Sequence, residues 1–361
     1  MRKIQIYLLS LLIATILAGC APDVLVPQER YFWPPPPLPP RIEWVGAYSS
    51  QLDLKMTTVR RIKEFIAGQD IPLSLKKPVE VRADPVSDKV YVADTEIGGV
   101  YVFDLKNSEL RKLSISGSRF SEQIVPVGLA LDGDMNLYVL EARLRKILVF
   151  NRSEKYVRSI DLADICKRPV AIAVDKSRGR LYVSDVQLDK IFALDPAGNR
   201  LFDFGRPGSG DGTFNKPVGI AVTSKGDIIV ADSFNARIQI FSESGAFRLA
   251  FGTRGEGAGN FQLIKSVAVD PDDNIYVVDG RSSSISIFNQ EGELLLSLGS
   301  FYAVSSSGKR APGGFSLPMG IDIDNLGRIF VVDQLNARIQ VFQYLSDKPS
   351  PAKSPETRQV K

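Results

Sequence analysis

The sequence predicts an all-β fold, a six-bladed β-propeller, because one four-strand unit recurs six times along the chain. The copies open at equivalent positions, which are Pro78, Pro126, Pro169, Pro217, Ile264 and Pro318. Each copy alternates short runs rich in Val, Ile and Phe with turns rich in Gly, Asp, Asn and Ser, which is typical of strands joined by hairpins. Such a unit is apolar on both faces, so radial repetition is needed to bury them.

Two further positions recur in every copy. The second strand ends in an acid, which is Asp94, Glu141, Asp185, Asp232, Asp279 or Asp333. A large apolar residue follows nine positions later, which is Phe103, Phe150, Leu194, Phe241, Phe288 or Phe342. The sixth copy supplies three strands before residues 346–361, whose composition is typical of a disordered tail. Residues 41–46 match the fourth-strand pattern, so we expect them to complete the last blade and close a propeller spanning residues 41–345.

The repeated sequence resembles a known family. Its pattern is Gly-x-Phe, then Pro-x-Gly-Ile-Ala-Val-Asp, then Tyr-Val-Ala-Asp, then Asn-x-Arg-Ile-Gln-Val-Phe, and over about residues 78–345 it resembles the NHL repeat. The first copy departs from it at Glu80, and the fifth copy lacks the opening Pro. The resemblance implies a six-bladed propeller and does not by itself imply a function.

Residues 1–20 have the anatomy of a secretory signal: a basic start, an apolar run and Leu-Ala-Gly-Cys. The ending resembles the lipobox of bacterial lipoproteins, which implies cleavage before Cys20 and a stable lipid anchor on that residue. The alternative is an uncleaved helix or an ordinary signal with a chance cysteine. Since Ala21 rather than Asp follows the cysteine, the resemblance implies the outer membrane of a Gram-negative cell envelope.

Two segments connect the anchor to the first repeat. Residues 21–40 are proline-rich and predict a semi-rigid extended tether, although the aromatic run Tyr31-Phe32-Trp33 could instead dock on the domain or on a partner. Residues 57–67 combine a Thr cap, apolar residues at helical spacing and a following Gly, which predicts a short amphipathic helix. We expect this helix to pack on one propeller face, with partner binding as the alternative.

Charge and composition exclude several functions. The formal charge of +4 falls to +2 once Arg2 and Lys3 are removed with the signal, so the balance does not demand a polyanion. The chain has no histidine, which excludes Ser/His/Asp and Cys/His catalysis and, in their usual form, the histidine-dependent amidating and streptogramin lyases that share this type of repeat. A calcium-dependent hydrolase of the lactonase type remains as the alternative.

The candidate site lies on the first strands of the blades, which should surround the central channel. Two and four residues after the opening position, most copies carry Gly, Ala or Ser, whereas blades one and six carry Glu80, Arg82 and Asp322. Because these blades are neighbours in a closed ring, we expect Arg82 to pair with Asp322 near the channel. The pair could close the ring structurally or take part in a ligand site.

A second candidate is a cationic surface. Five residues after the recurring acids stand Lys146, Lys190, Arg237 and Arg338, which we expect to form ion pairs within or between blades. Together with Arg143 and Arg145 they could instead form an electropositive binding patch. Some NHL proteins bind RNA with such a face, but a secreted chain is not expected to meet nucleic acid. The recurring acids and the Asp-rich turns at 132–136 and 270–274 favour structural hydrogen bonding over calcium binding.

The sequence therefore predicts a lipid-anchored, non-catalytic propeller without a cofactor. We expect it to bind or scaffold another protein or a polymer of the cell envelope.

Overall fold

The structure, a computed structural model, describes residues 30–57, 71–116, 123–300 and 311–345. The expected signal at 1–20, the expected helix at 57–67 after its first residue, and the expected tail at 346–361 lie outside these ranges. Within them, the strands form six antiparallel sheets, and the first strand of each sheet contacts that of the next around a closed ring. The predicted six-bladed β-propeller is confirmed.

The strands are numbered in chain order. The first two are β1 (Phe32–Trp33) and β2 (Ile42–Tyr48). Blade one contains β3 (Pro78–Asp84), β4 (Lys89–Asp94), β5 (Gly99–Asp104) and β6 (Glu109–Lys112). Blade two contains β7 (Pro126–Leu131), β8 (Leu137–Glu141), β9 (Lys146–Phe150) and β10 (Tyr156–Asp161). Blade three contains β11 (Pro169–Asp175), β12 (Arg180–Asp185), β13 (Lys190–Leu194) and β14 (Arg200–Phe204).

The second half of the ring repeats this order. Blade four contains β15 (Pro217–Val222), β16 (Ile228–Asp232), β17 (Arg237–Phe241) and β18 (Phe247–Phe251). Blade five contains β19 (Ile264–Val269), β20 (Ile275–Asp279), β21 (Ser284–Phe288) and β22 (Leu294–Leu298). Blade six contains β23 (Pro318–Ile323), β24 (Arg328–Asp333) and β25 (Arg338–Tyr344). The first strand of each blade is called its inner strand below.

The last blade is completed from the N-terminal side. Strand β2 pairs antiparallel with β25, with Trp44 opposite Phe342, and β1 pairs with β2 on the outside. The blade-six sheet therefore runs β1-β2-β25-β24-β23. The strand expected at 41–46 spans Ile42–Tyr48, which makes it the fourth strand of this blade.

In residues 30–40 the structure shows the docking alternative, with the aromatic run on the domain, rather than the extended tether expected at 21–40. The Trp33 ring packs edge-to-face on Phe342, with centroids 5.6 Å apart, and Tyr31 packs in the same way on Trp44. A Cβ atom on Gly313 would lie 2.2 Å from Cζ2 of Trp33, so this glycine leaves space for the indole. Two large aromatic rings bury apolar area here, which outweighs the preference of the prolines for an extended, solvated chain. Residues 21–29 lie outside the described part.

Apolar side chains from adjacent blades fill the spaces between the sheets. The recurring large residue of the third strand is buried in each blade, and in blade four Phe241 contacts Phe214 of the preceding linker at 5.5 Å between centroids. The described helical segments are three short 3-10 turns, Gln51–Asp53, Ser233–Asn235 and Gln334–Asn336. In the described part of the chain, no helix has the length and apolar character needed to cross a membrane.

Candidate functional site

The recurring acids hold consecutive blades together. In blade one, Asp94 accepts hydrogen bonds from the amides of Lys76 at 2.7 Å and Lys77 at 3.0 Å in the preceding linker, and from the following turn at Glu96 and Ile97. The other five acids likewise accept an amide from the linker that precedes their blade. Buried carboxylates with several amide donors are well satisfied, so these acids are structural, as expected.

The predicted cations also have structural partners. Arg237 binds Asp232 at 2.9 Å, Arg338 binds Asp333 at 2.7 Å, and Lys190 binds Asp203 at 2.6 Å. The ion pairs expected within or between blades are therefore confirmed for these residues as pairs within one blade, and Lys146 pairs with Asp161 in the same way.

The two further arginines of the predicted patch lie in the turn after β8. Arg145 donates to the carbonyls of Ala163 and Cys166, both at 3.2 Å. Arg143 lies 3.8 Å from Glu141, and its side chain is 58% exposed. Of the predicted patch, Arg143 thus keeps most of its surface available for binding.

Small residues line most of the central channel. The positions four residues into the inner strands are Arg82, Ala130, Ala173, Ala221, Ala268 and Asp322. They surround a cavity of about 200 Å³ at the end where the inner strands stop. Lys176, Asp324 and Asn325 add polar atoms to its wall. Blades two, four and five therefore contribute only apolar side chains, and the charged side chains come mainly from blades one and six.

The charged groups of blades one and six meet as predicted. The guanidinium of Arg82 donates to Glu80 at 2.8 Å and to the carbonyl of Ile321 in blade six at 3.2 Å. Its Nε atom lies 3.9 Å from Oδ1 of Asp322. The other oxygen of Asp322 accepts the amide of Ala83 in blade one at 2.8 Å. The predicted proximity of Arg82 and Asp322 is confirmed, and the contacts cross the junction in both directions.

Electrostatics at this junction follow from burial. Burial raises the pKa of Glu80 and of Asp322 above the usual carboxyl range, although Arg82 opposes the shift in both. Burial also disfavours the charge on Arg82, but the two carboxylates outweigh it and raise the pKa of the guanidinium. The three groups therefore satisfy one another, which describes a junction between blades better than a reactive centre.

Metal binding finds little support among these residues. No group of three or more His, Cys, Asp or Glu side chains arranged to hold a metal ion occurs in the described ranges. In the turn at 132–136, Asp132 accepts the amides of Asp134 and Asn136, and Asp270 accepts those of Asp272 and Asn274. These carboxylates cap their own turns.

Turns at both ends of the ring expose apolar residues that the repeat pattern did not single out. Each inner strand begins beside the acid that ends the second strand, as in the Pro217–Asp232 pair, so the turns between the second and third strands lie at one end of the ring. We call this side the turn face. There, Phe234 is 55% exposed, Leu335 68% and Leu144 38%. Aligning the turns of all six copies would have revealed these residues.

The comparisons with known proteins agree with this architecture. A family model described as a 6-bladed beta-propeller matches residues 214–297. The chain is a six-bladed β-propeller. Protein lin-41 from Caenorhabditis elegans is 44% identical over 68 residues, which is 19% of this chain and 5% of that protein. Peptidylglycine alpha-amidating monooxygenase from Rattus norvegicus is 30% identical over 158 residues, 39% of this chain and 16% of that protein. The propeller thus spans a small part of these curated relatives.

Solved structures share the fold at low identity. Virginiamycin B lyase from Staphylococcus aureus has a TM-score of 0.56 and 14% identity, covering 76% of this chain and 98% of that one. A putative gluconolactonase has a TM-score of 0.55 and 14% identity, covering 75% of this chain and 89% of that one. At these identities the likeness shows the fold alone.

Proposed function

We propose that this chain is an NHL-type, non-catalytic binding propeller of the bacterial cell envelope. In this proposal, lipid on Cys20 anchors it to the outer membrane, and the turn face binds another envelope protein. The single observation that carries the binding role is the set of exposed side chains on that face. Phe234 and Leu335 occupy equivalent places in two turns whose acids are fully buried, so a rigid base presents apolar groups to solvent.

The composition of this face favours a protein over a polymer. Exposed large apolar residues beside arginines are typical of protein–protein interfaces. Arg143 and Arg281 are exposed in two other turns of the same face. A partner with apolar side chains and an acidic rim would complement this surface. Nucleic acid is not expected, because the proposed location lies outside the cytoplasm.

The hydrolase alternative lacks a supporting arrangement of residues. Two carboxylates in and beside the channel, Glu80 and Asp322, already bind Arg82 and backbone amides. A catalytically inactive histidine-to-alanine variant of virginiamycin B lyase is known in complex with quinupristin. The present chain contains no histidine. The histidine of that lyase therefore has no counterpart here. Metal analysis of the purified chain tests the calcium alternative: stoichiometric calcium would favour the hydrolase.

Crosslinking pull-down from intact cells tests the binding role. The wild-type chain should capture a defined envelope protein, and a Cys20→Ala chain should leave the membrane fraction. The double variant Phe234→Ser/Leu335→Ser should lose the partner.

The matched control is Val86→Ser/Leu326→Ser, since these side chains are 61% and 59% exposed but lie in turns at the opposite end of the inner strands. If both double variants retain the partner equally, the turn face is not the binding surface. If no partner is captured by any chain, the scaffold function itself is wrong.

A further inference from the structure

Six equivalent residues lie near the starts of the inner strands, on the turn face. They follow the opening position of each inner strand and are Val79, Val127, Val170, Val218, Lys265 and Met319. In every blade the strand register shifts at this point, as between Pro217 and Gly219 or between Ile264 and Ser266. A β-bulge re-aims the side chain of the extra residue. All six are half-buried. Five of them are apolar, and Lys265 is the one charged residue of the set.

Blade five also differs from the others at a second position, which makes room for the side chain of Lys265. The residue after the recurring acid is Gly280 in blade five, whereas a side chain is present there in the other five blades. A Cβ atom on Gly280 would lie 2.8 Å from Cγ and 3.0 Å from Cε of Lys265. The lysine stem therefore passes over the space that this glycine leaves empty. Leu317 of the blade-six linker would lie 3.2 Å from the same Cβ atom and closes the other side.

The turn of blade four forms the remaining wall. The hydroxyl of Ser233 donates to the carbonyl of Ile264 at 2.8 Å, which brings this turn against the start of β19. Phe234, the next residue along, is exposed on the same turn. Lys265 therefore extends from a strand start bordered by the turn of blade four, Gly280 of its own blade and Leu317 of the next.

The ammonium group has no hydrogen-bond or ion-pair partner among the described residues. The carboxylate of Asp279 favours the charged form of Lys265, but its effect on the pKa is smaller than that of burial. The carboxylate of Asp279 is already committed, because it accepts the amides of Gln262, Leu263, Arg281 and Ser282. Burial lowers the pKa of Lys265, which indicates that the protein environment does not compensate its charge. A half-buried cation of this kind gains most from an anion supplied from outside.

We propose that Lys265 binds a carboxylate attached to an apolar group at the mouth of the channel. A single ammonium balances one negative charge and provides three donors, which suits a carboxylate. Phosphate sites usually combine several donors or a nest of backbone amides, whereas the stem of this lysine is bordered by the apolar side chain of Leu317. Leu317, which borders the lysine stem, provides an apolar contact for the carbon chain. The same chemistry occurs in free fatty acids and in the C-terminus of a protein.

The site deepens the proposed function, because it lies on the turn face, but it rests on different side chains. Hexanoate is the probe, and hexanol and inorganic phosphate are its controls. The full chain is treated with an amine-reactive acetylating reagent, and mass spectrometry measures the labelling rate at each lysine. Hexanoate should slow labelling of Lys265 about fivefold or more at saturation, whereas hexanol and phosphate should not. Lys225, which is exposed in a turn on the opposite side, serves as the internal control.

Substitution of Lys265 tests whether its ammonium group binds the carboxylate. Lys265→Met keeps the length of the stem and matches Met319 of blade six, so it should fold. We expect it to weaken hexanoate binding about tenfold, measured by calorimetry, whereas Lys265→Arg retains binding and Lys225→Met changes nothing. A loss of less than about threefold in Lys265→Met, or equal protection of Lys265 by hexanol, would overturn the proposal.

A peptide arm distinguishes the two sources of the carboxylate. A tetrapeptide that ends in leucine with a free carboxylate is compared with the same peptide as its amide. Protection by the free-acid peptide that exceeds protection by hexanoate supports a protein C-terminus, and protection by hexanoate alone supports a free acid. If neither protects Lys265, the proposal fails. If hexanoate protects but the pull-down captures no partner, this site stands and the scaffold function does not.

Discussion

Gly320→Ala tests how closely blades one and six approach each other. A Cβ atom at this position would lie 2.5 Å from Oε1 of Glu80, 2.7 Å from Cα of Glu80 and 2.9 Å from the carbonyl oxygen of Val79. Rotation of the Glu80 side chain can relieve the first contact but not the two backbone contacts. The blades must therefore move apart. We expect the free energy of unfolding to fall by about 1 to 3 kcal/mol, the usual cost of overpacking.

Urea unfolding followed by tryptophan fluorescence measures this change. The two tryptophans, Trp33 and Trp44, both lie on strands added to blade six, so the signal reports the blade whose junction is perturbed. Gly46→Ala is the control, since nothing lies within 4 Å of its Cβ position, and it should match or slightly exceed the wild type. A Gly320→Ala chain within about 0.5 kcal/mol of the wild type would refute the close approach.

Three further outcomes follow from buried groups. Asp232→Ala should lower the free energy of unfolding in urea by about 3 to 5 kcal/mol, because it leaves Arg237 without its buried partner. Asp211 is exposed and lies 3.9 Å from Arg237, so Asp211→Ala should lower it by less than about 0.5 kcal/mol. Burial raises the pKa of the Cys166 thiol to about 12, so peptide mapping should find it unmodified by iodoacetamide until denaturant is added. Burial raises the pKa of Glu80 in the folded state. The wild type should therefore lose stability relative to Glu80→Gln as the pH rises from 4.5, the pKa in the unfolded chain, through the folded pKa. A stability difference that does not vary with pH would contradict this.

The repeat made most of the fold predictable. All six predicted blade starts, from Pro78 to Pro318, are the first residues of inner strands, and every recurring acid ends a second strand. Local composition is sufficient here because strand runs and turns alternate at short spacing. The approach of Arg82 to Asp322 was also predictable, since ring closure makes the first and last blades neighbours.

For the N-terminal segment, the sequence left two alternatives open, an extended tether or docking of its aromatic run, and composition did not decide between them. Proline content indicates an extended chain, but the position of Trp33 depends on Gly313 and Phe342, which follow it by about 300 residues in the sequence. No local pattern encodes such a contact. Lys265 is different, because the absence of the opening proline marks blade five as divergent. A comparison of the next position across the six copies is enough to single out the lysine from the sequence alone.

The sign of a stability change distinguishes the two sets of charges around the channel. Arg82 lies within 4 Å of carboxylates on both sides of its junction, so its removal should destabilise the fold. Lys265 has no such partner in the described ranges, so Lys265→Met should instead raise the free energy of unfolding by about 1 kcal/mol near neutral pH. Because the folded pKa of Lys265 lies below the unfolded value of 10.5, the wild type gains stability as pH rises between them, and the difference from Lys265→Met should shrink there. Urea unfolding at several pH values measures both effects, with Lys225→Met as the control. A Lys265→Met chain less stable than the wild type would mean that the ammonium already has a partner within the propeller, and the channel mouth would then need no external anion.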